Sequence, residues 1–156
     1  MKQQVKTFLS SWWVTRRHLT IGERQLAHSV FRHHLVLDGI EIRTHRAMRK
    51  GYALSVGGHV YFHPQDVCDD FSQQSLELQA WFIHELVHVW QAQQGMAVLW
   101  RALFNRRYRY HLQVGKSFYD YGIEQQAQIV QDYFLKKQRG QACQAYQHCI
   151  PFLNEV

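Results

Sequence analysis

Three side chains in the apolar run "WFIHELVHVWQAQQG", residues 81–95, have types and spacing that could support chemistry. His84 and His88 are four residues apart, so on an α-helix both imidazoles project from one face, about one turn apart. Two neutral imidazole nitrogens at this spacing can bind one Zn²⁺. Glu85 directly follows the first histidine, where its carboxylate can take a proton from water activated by the metal. This HExxH pattern predicts metal-assisted hydrolysis.

The alternative is a metal-free core helix that carries polar residues by accident. With 11 histidines and 6 glutamates in 156 residues, a shuffled chain would contain HExxH with a probability of roughly 0.03. The surrounding residues are strongly apolar, and burying two imidazoles and a carboxylate without partners is costly. A coordinated metal removes that cost, so the metal-binding interpretation is favoured.

A catalytic zinc site needs a third protein ligand and an open coordination position. The extended pattern HExxHxxGxxH is excluded, because Gln91 and Gln94 stand where the glycine and the third histidine would be. Glu124 in "YGIEQQAQ" is the best candidate, 36 residues after His88 and near the start of another predicted helix. Ala127, one turn later, would let the two helices approach closely. The alternative for Glu124 is an exposed glutamate favoured by the helix dipole.

Supporting residues are expected between the motif and Glu124. A tyrosine or histidine often stabilises the oxyanion in such sites, and five candidates lie here: Tyr108, Tyr110, His111, Tyr119 and Tyr121. Tyr121 and Tyr119 rank first as catalytic candidates, and the alternative for each is an ordinary core or surface aromatic. Asp120 or Asp132 could orient a zinc-bound histidine.

The elements that must position these residues are predicted in the order helix, small antiparallel sheet, helices, which is an α+β layout. Helical periodicity and capping signals predict helices over 22–34, 76–94, 122–139 and 141–152. "LDGIEIRTH" reads as one strand, and "YALSVGGHVYFHP" reads as two strands joined at Gly57-Gly58. Its "HVYFHP" portion could offer an edge to an extended substrate. Residues 1–18 are expected to form a flexible segment or a peripheral helix.

Composition predicts one globular domain over residues 1–156, since no linker or repeat interrupts the chain. The net charge of +6 and pI near 9.4 favour anionic partners. "RALFNRRYRYHL" therefore admits nucleic-acid binding as a minor alternative. We expect no Sec-type signal peptide, because "MKQQVKTFLSSWWVTRRHLT" lacks an apolar core followed by a small-residue cleavage site, and no apolar run reaches membrane-spanning length. We expect synthesis in the cytoplasm and, for any role elsewhere, export that reads no Sec signal.

The motif helix together with "YGIEQQA" resembles the gluzincin branch of zinc metallopeptidases. The longer pattern "LTIGERQLAHSVF…GHVYFHPQD…LQAWFIHELVHVWQAQQG…YGIEQQAQIVQDYF" resembles the small Vgr-related metallopeptidases of bacterial type VI secretion and Rhs loci, over roughly Leu19 to Phe134. The motif helix is also similar to HExxHxxQ domains attached to the cargo of contractile injection systems.

This resemblance implies a zincin fold with His84, His88 and Glu124 as zinc ligands and Glu85 as the base. It also implies an effector or effector-processing role, with delivery to a target cell or its periplasm by a contractile machine. Gln128 departs from the pattern, since many gluzincins place there an acid that orients a histidine. The resemblance therefore leaves open which residues orient the zinc-bound histidines.

Three functions are compatible with these residues. The first is a metallopeptidase that cleaves a peptide or protein, and the second is an amidase or endopeptidase toxin that cleaves peptidoglycan peptides. The third is a non-catalytic zincin-like adaptor for a secretion spike, which Glu85 argues against because a purely structural site does not need a base. A spike protein or an immunity protein is the expected partner, and no membrane span is expected.

Overall fold

The computed structural model describes residues 13–96 and 107–154. Within these ranges the chain forms four strands and four α-helices. The strands are β1 (Trp13–His18), β2 (Glu41–His45), β3 (Ala53–Val56) and β4 (His59–Phe62). The helices are α1 (Ile21–Phe31), α2 (Leu76–Gln93), α3 (Ile123–Gln138) and α4 (Gln144–Cys149). The α+β prediction is confirmed.

The strands form one sheet in the order β1-β2-β4-β3. β1 pairs antiparallel with β2 and β3 pairs antiparallel with β4, but β2 and β4 are parallel. The expectation of an antiparallel sheet was therefore wrong. After β2 the chain crosses to the outer edge, forms β3 and returns as β4, so β4 is inserted beside β2 in the same direction.

This topology also changes which strand has an unpaired edge. β4, which contains the expected edge segment "HVYFHP", is paired on both sides, so that expectation was wrong. β3 is an edge strand, and β1 forms the opposite edge of the sheet. The hairpin joins β3 to β4 at Gly57 and Gly58, whose φ angles of 60° and 79° are those of a two-residue turn that favours glycine.

β1 was not expected from the sequence, which had suggested a flexible segment or a helix for residues 1–18. Residues 13–18 pair instead with β2, nearly 30 positions further along the chain, and the backbone N–H of Thr15 donates to Oγ1 of Thr44 at 2.8 Å. Pairing between segments so far apart in the sequence need not leave a periodic pattern within either segment, which is why the sequence alone did not predict β1. The rest of that expectation, residues 1–12, lies outside the described residues, as do residues 101–106 of "RALFNRRYRYHL".

α1, α2 and α3 begin within one residue of the expected positions, and α4 begins three residues later than expected. Thr20 and Glu23 form the predicted capping box at the start of α1, although α1 ends at Phe31, before the expected end at His34. α2 is buried on several faces and packs against both α3 and β3. No helix within 13–96 and 107–154 is long and apolar enough to span a membrane.

Candidate metal centre

Two helices bring the three predicted ligand residues together. His84 and His88 lie one turn apart on α2, and Glu124 lies in the first turn of α3. Oε2 of Glu124 is 3.2 Å from Nε2 of His84 and 3.3 Å from Nε2 of His88. All three side chains are buried, and their ligand atoms lie within 4.8 Å of one another.

This arrangement fits zinc in both chemistry and spacing. Two imidazole nitrogens and one carboxylate oxygen are a donor set that Zn²⁺ prefers. Two ligand atoms bound at about 2.0–2.1 Å to a tetrahedral zinc are about 3.3 Å apart, which agrees with the two distances measured to Glu124. The residues present can therefore hold the ion that the motif implies.

The electrostatics of the site also suit a cation. Burial disfavours the charged form of Glu124, but hydrogen bonds from His84 and His88 outweigh it and lower the pKa of Glu124 to about 2. Burial also opposes a charge on His88, yet Glu124 and the nearby Glu85 raise the pKa of His88. The site thus holds an ionised carboxylate away from solvent, and a divalent cation would supply the compensating charge.

Two glutamines orient the ligand imidazoles. Nδ1 of His84 donates to Oε1 of Gln131 at 2.9 Å, and Nδ1 of His88 donates to Oε1 of Gln91 at 2.8 Å. An amide oxygen only accepts hydrogen bonds, so in each ring Nδ1 carries a proton. When a metal replaces the proton that Nε2 shares with Glu124, Nδ1 keeps its own proton and Nε2 presents its lone pair to the metal.

Gln91 also connects the two helices. Its Nε2 donates to the backbone carbonyl of Ile123 at 3.0 Å and to Oε1 of Gln126 at 2.9 Å. Nε2 of Gln126 in turn donates to the carbonyl of Tyr121 at 2.9 Å. This buried network links the orientation of His88 to the turn of α3 that carries Glu124.

The sequence had suggested Asp120 and Asp132 for the orienting role, but their described hydrogen bonds go elsewhere. Asp120 accepts from the backbone of Ser117, and Asp132 accepts from Tyr110 and Gln128. Spacing could have identified the glutamines instead. Gln91 follows His88 by three residues, so the two share one face of α2. Gln131 follows Glu124 by seven residues, so these two share one face of α3.

Glu85 lies beside the ligands and is also buried. Its Oε2 accepts a hydrogen bond from Oγ of Ser55 at 3.1 Å. Ser55 lies on β3, so this edge strand passes directly over the motif helix.

A cavity of about 410 Å³ contains Glu85 and the three ligand residues. Residues 51–55 border it on one side. Ala53, Leu54 and Ser55 of this stretch lie on β3. Because successive strand residues point to opposite faces, all three can border one cavity only if the unpaired edge of β3 faces it. Backbone N–H and C=O groups of that edge are therefore available to an extended chain.

The structure does not bring Tyr121 or Tyr119 to this cavity. The hydroxyl of Tyr121 donates to the carbonyl of His111 at 3.0 Å and accepts from the backbone N–H of Gln113 at 3.1 Å. Tyr119 is exposed. Tyr108 does line the cavity, and its ring centroid is 6.2 Å from that of His84.

Comparisons with known proteins place this architecture in a family. No protein-family model matches the sequence. The chain is 38% identical over 133 residues, 78% of its length, to the type VI secretion system spike protein VgrG2b of Pseudomonas aeruginosa. It spans only 13% of that protein.

The solved effector domain of Pseudomonas aeruginosa VgrG2b has the same fold, with a TM-score of 0.74 and 35% sequence identity. The match covers 85% of this chain and 80% of that domain. This chain belongs to the VgrG2b effector-domain family. The predicted likeness to Vgr-related proteins of type VI secretion is thereby confirmed. Kinship with the VgrG2b effector domain does not by itself assign an activity, so the gluzincin assignment stays a prediction.

Proposed function

We propose that this chain is a zinc-dependent metallopeptidase of the gluzincin kind that hydrolyses a peptide or amide bond. The observation that carries the proposal is the convergence of His84, His88 and Glu124 beside Glu85, in a cavity bordered by an open strand edge. A purely structural zinc site would have no use for the carboxylate of Glu85 or for the cavity.

The residues of the chain have distinct roles in this reaction. Zinc, when bound, supplies the Lewis acidity that makes water a nucleophile at neutral pH. Glu85 takes the proton of the attacking water and delivers it to the leaving nitrogen. The edge of β3 holds the substrate backbone in an extended conformation. In place of Tyr121 and Tyr119, Tyr108 donates to the oxyanion, since it lines the cavity and its ring lies beside that of His84.

Kinship with the VgrG2b effector domain supports an effector role for this chain in type VI secretion. We propose delivery to a target cell or its periplasm by the secretion apparatus, with a spike protein as partner. The net charge of +6 would favour contact with an anionic cell envelope. Proteins and peptidoglycan peptides are the two substrate classes to compare.

The test is to measure zinc content and hydrolysis for the wild-type chain and for Glu85→Gln. Wild-type protein should bind about one zinc ion per chain and cleave either a protein mixture or purified peptidoglycan, with products identified by mass spectrometry. Glu85→Gln should keep its zinc and lose about 10²-fold or more in rate. Glu77→Gln, on the exposed face of the same helix, is the matched control. Full activity in Glu85→Gln would remove the catalytic proposal.

A further inference from the structure

A second cavity, of about 710 Å³, lies next to the metal centre. Its walls come from residues 108–112, from α3 and from α4. It shares Tyr108 and Gln128 with the cavity that contains the ligands, so these two side chains form a common boundary. A substrate held at the metal centre can therefore extend into the second cavity.

The two cavities lie along one face of α3. Glu124, Gln128 and Asp132 follow one another at intervals of four residues, with the ligand in the first cavity, Gln128 at the boundary and Asp132 in the second. Eight helical residues rise about 12 Å, and an extended peptide covers about 3.3–3.6 Å per residue. Asp132 is thus about three residues of extended substrate away from the metal centre.

Asp132 carries a negative charge that its hydrogen-bond partners do not neutralise. Its Oδ2 accepts from the hydroxyl of Tyr110 at 2.5 Å, and its Oδ1 accepts from Nε2 of Gln128 at 2.9 Å. Burial and the bond to Asp132 hold the pKa of Tyr110 well above its ordinary value, so the phenol keeps its proton. Among the ion pairs of residues 13–96 and 107–154, none includes Asp132. The chain's own Lys136, one turn further along α3, lies instead over the Tyr146 ring, 5.9 Å from its centroid.

Aromatic rings surround this carboxylate. Tyr108, Tyr110 and Tyr146 all line the second cavity, and Leu112 adds an apolar surface. Tyr110 gives its proton to Asp132, so the 3.2 Å contact between the two phenol oxygens is donated by Tyr146. Tyrosine rings attract cations over their faces, and an aliphatic stem can pack along apolar side chains while its charged end reaches a polar partner.

We propose that the second cavity is a specificity pocket for a lysine-like side chain of the substrate, with Asp132 pairing with its ammonium group. This inference rests on the proposed peptidase function. Arg109 also lines the cavity, but its side chain is exposed and water screens its charge. The half-buried Asp132 therefore dominates the recognition.

The cleavage test uses the full, zinc-loaded chain and octapeptides that carry lysine or norleucine two to four residues from the cleaved bond. Wild-type protein should cleave the lysine peptide with a kcat/KM roughly tenfold higher, the effect of one charge-assisted hydrogen bond in a partly solvated site. Asp132→Asn should bring this ratio close to one, since asparagine can still accept from Tyr110 but carries no charge. Asp69→Asn, an exposed carboxylate elsewhere, should leave the ratio unchanged. Equal cleavage of both peptides by wild-type protein, or an undiminished ratio in Asp132→Asn, overturns the proposal.

A binding test separates this pocket from the peptidase activity. Fluorescein-labelled forms of the same peptides are titrated with Glu85→Gln protein, with and without Asp132→Asn, and followed by anisotropy. Tighter binding of the lysine peptide that depends on Asp132, with no cleavage by wild-type protein, would support the pocket and reject the peptidase. Cleavage without any lysine preference would support the peptidase and reject the pocket. Arg109→Gln should keep the preference, and its loss there would contradict recognition of the ammonium group by Asp132 alone.

Discussion

The hydroxyl oxygen of Ser55 lies 3.1 Å from Oε2 of Glu85 and 3.0 Å from the backbone carbonyl oxygen of the same residue. Serine has one hydroxyl proton, and an ionised carboxylate is a stronger acceptor than a carbonyl. When Glu85 is ionised, the proton therefore goes to its side chain. This contact joins the edge strand β3 to the motif helix α2 and fixes the carboxylate of the proposed base.

Replacing this serine should reduce activity without loss of metal. In Ser55→Ala the carboxylate of Glu85 loses its described hydrogen bond, and a bond to a charged group contributes about 1.5–3 kcal/mol. We expect a fall in kcat/KM of about tenfold or more, with the zinc content unchanged. Peptide hydrolysis and metal analysis on the same preparation measure both. Ser29→Ala, on the exposed side of α1, is the control, and unchanged activity in Ser55→Ala would contradict the positioning role.

The glutamines that orient the histidines should control zinc affinity. Gln131→Leu removes the acceptor of the His84 Nδ1 proton and should weaken zinc binding about 10–100-fold. Gln138→Leu, seven residues further along α3 and exposed, should have no such effect. Competition with a chromophoric chelator gives both affinities, and equal values would show that Gln131 does not orient the ligand.

Gln91→Leu should combine weaker zinc binding with lower stability. Gln91 is fully buried and bonds to His88, Ile123 and Gln126. Its loss leaves buried polar groups without their partner, at a cost of about 1–3 kcal/mol each. Urea unfolding of the metal-free protein isolates this second effect. A variant as stable as wild type would mean that the network can rearrange around leucine.

Removal of metal should lower thermal stability through the three ligands. A ligand that binds only the folded state stabilises it by about 2.7 kcal/mol at a free concentration 100 times its Kd. Chelation should therefore lower the Tm of wild-type protein and of Glu85→Gln, since both keep the ligand set. The Tm of His84→Ala should not respond to chelation. A response equal to that of wild type would exclude His84 as a ligand.

A separate ionic cluster should hold the N-terminal part of the fold together. The fully buried carboxylate of Glu23 accepts from both terminal nitrogens of Arg17 and from the backbone N–H groups of Thr20 and Phe71. Glu23→Gln places an amide group against these donors and leaves the guanidinium of Arg17 with carbonyl partners but no anionic one. We expect a loss of about 3 kcal/mol in the free energy of unfolding, measured in urea.

The control for Glu23 is Glu77→Gln. Glu77 pairs with Arg139 at 3.4 Å on the surface, and exposed pairs of this kind contribute at most about 1 kcal/mol. Similar losses in the two variants would show that burial of Glu23 adds nothing to its ion pair.

Local geometry explains why part of the site could be predicted from the sequence. The one-turn spacing of His84 and His88, the capping box of α1 and the glycine turn between β3 and β4 each depend on neighbouring residues alone. Residue type and a place at a helix start predict Glu124 as the third metal ligand. The structure adds its 3.2 Å approach to His84, across 40 residues of sequence.

Tertiary structure decided the features that depend on residues distant in the chain. The pairing of β1 with β2, the parallel insertion of β4, the position of Tyr108 beside the cavity and the contact of Ser55 with Glu85 all arise when separate elements pack together. Packing free energy is summed over many contacts of low individual strength, and no local periodicity records that sum. The sequence by itself determined which groups could bind a metal, and the packing of α2, α3 and β3 decided which groups surround them.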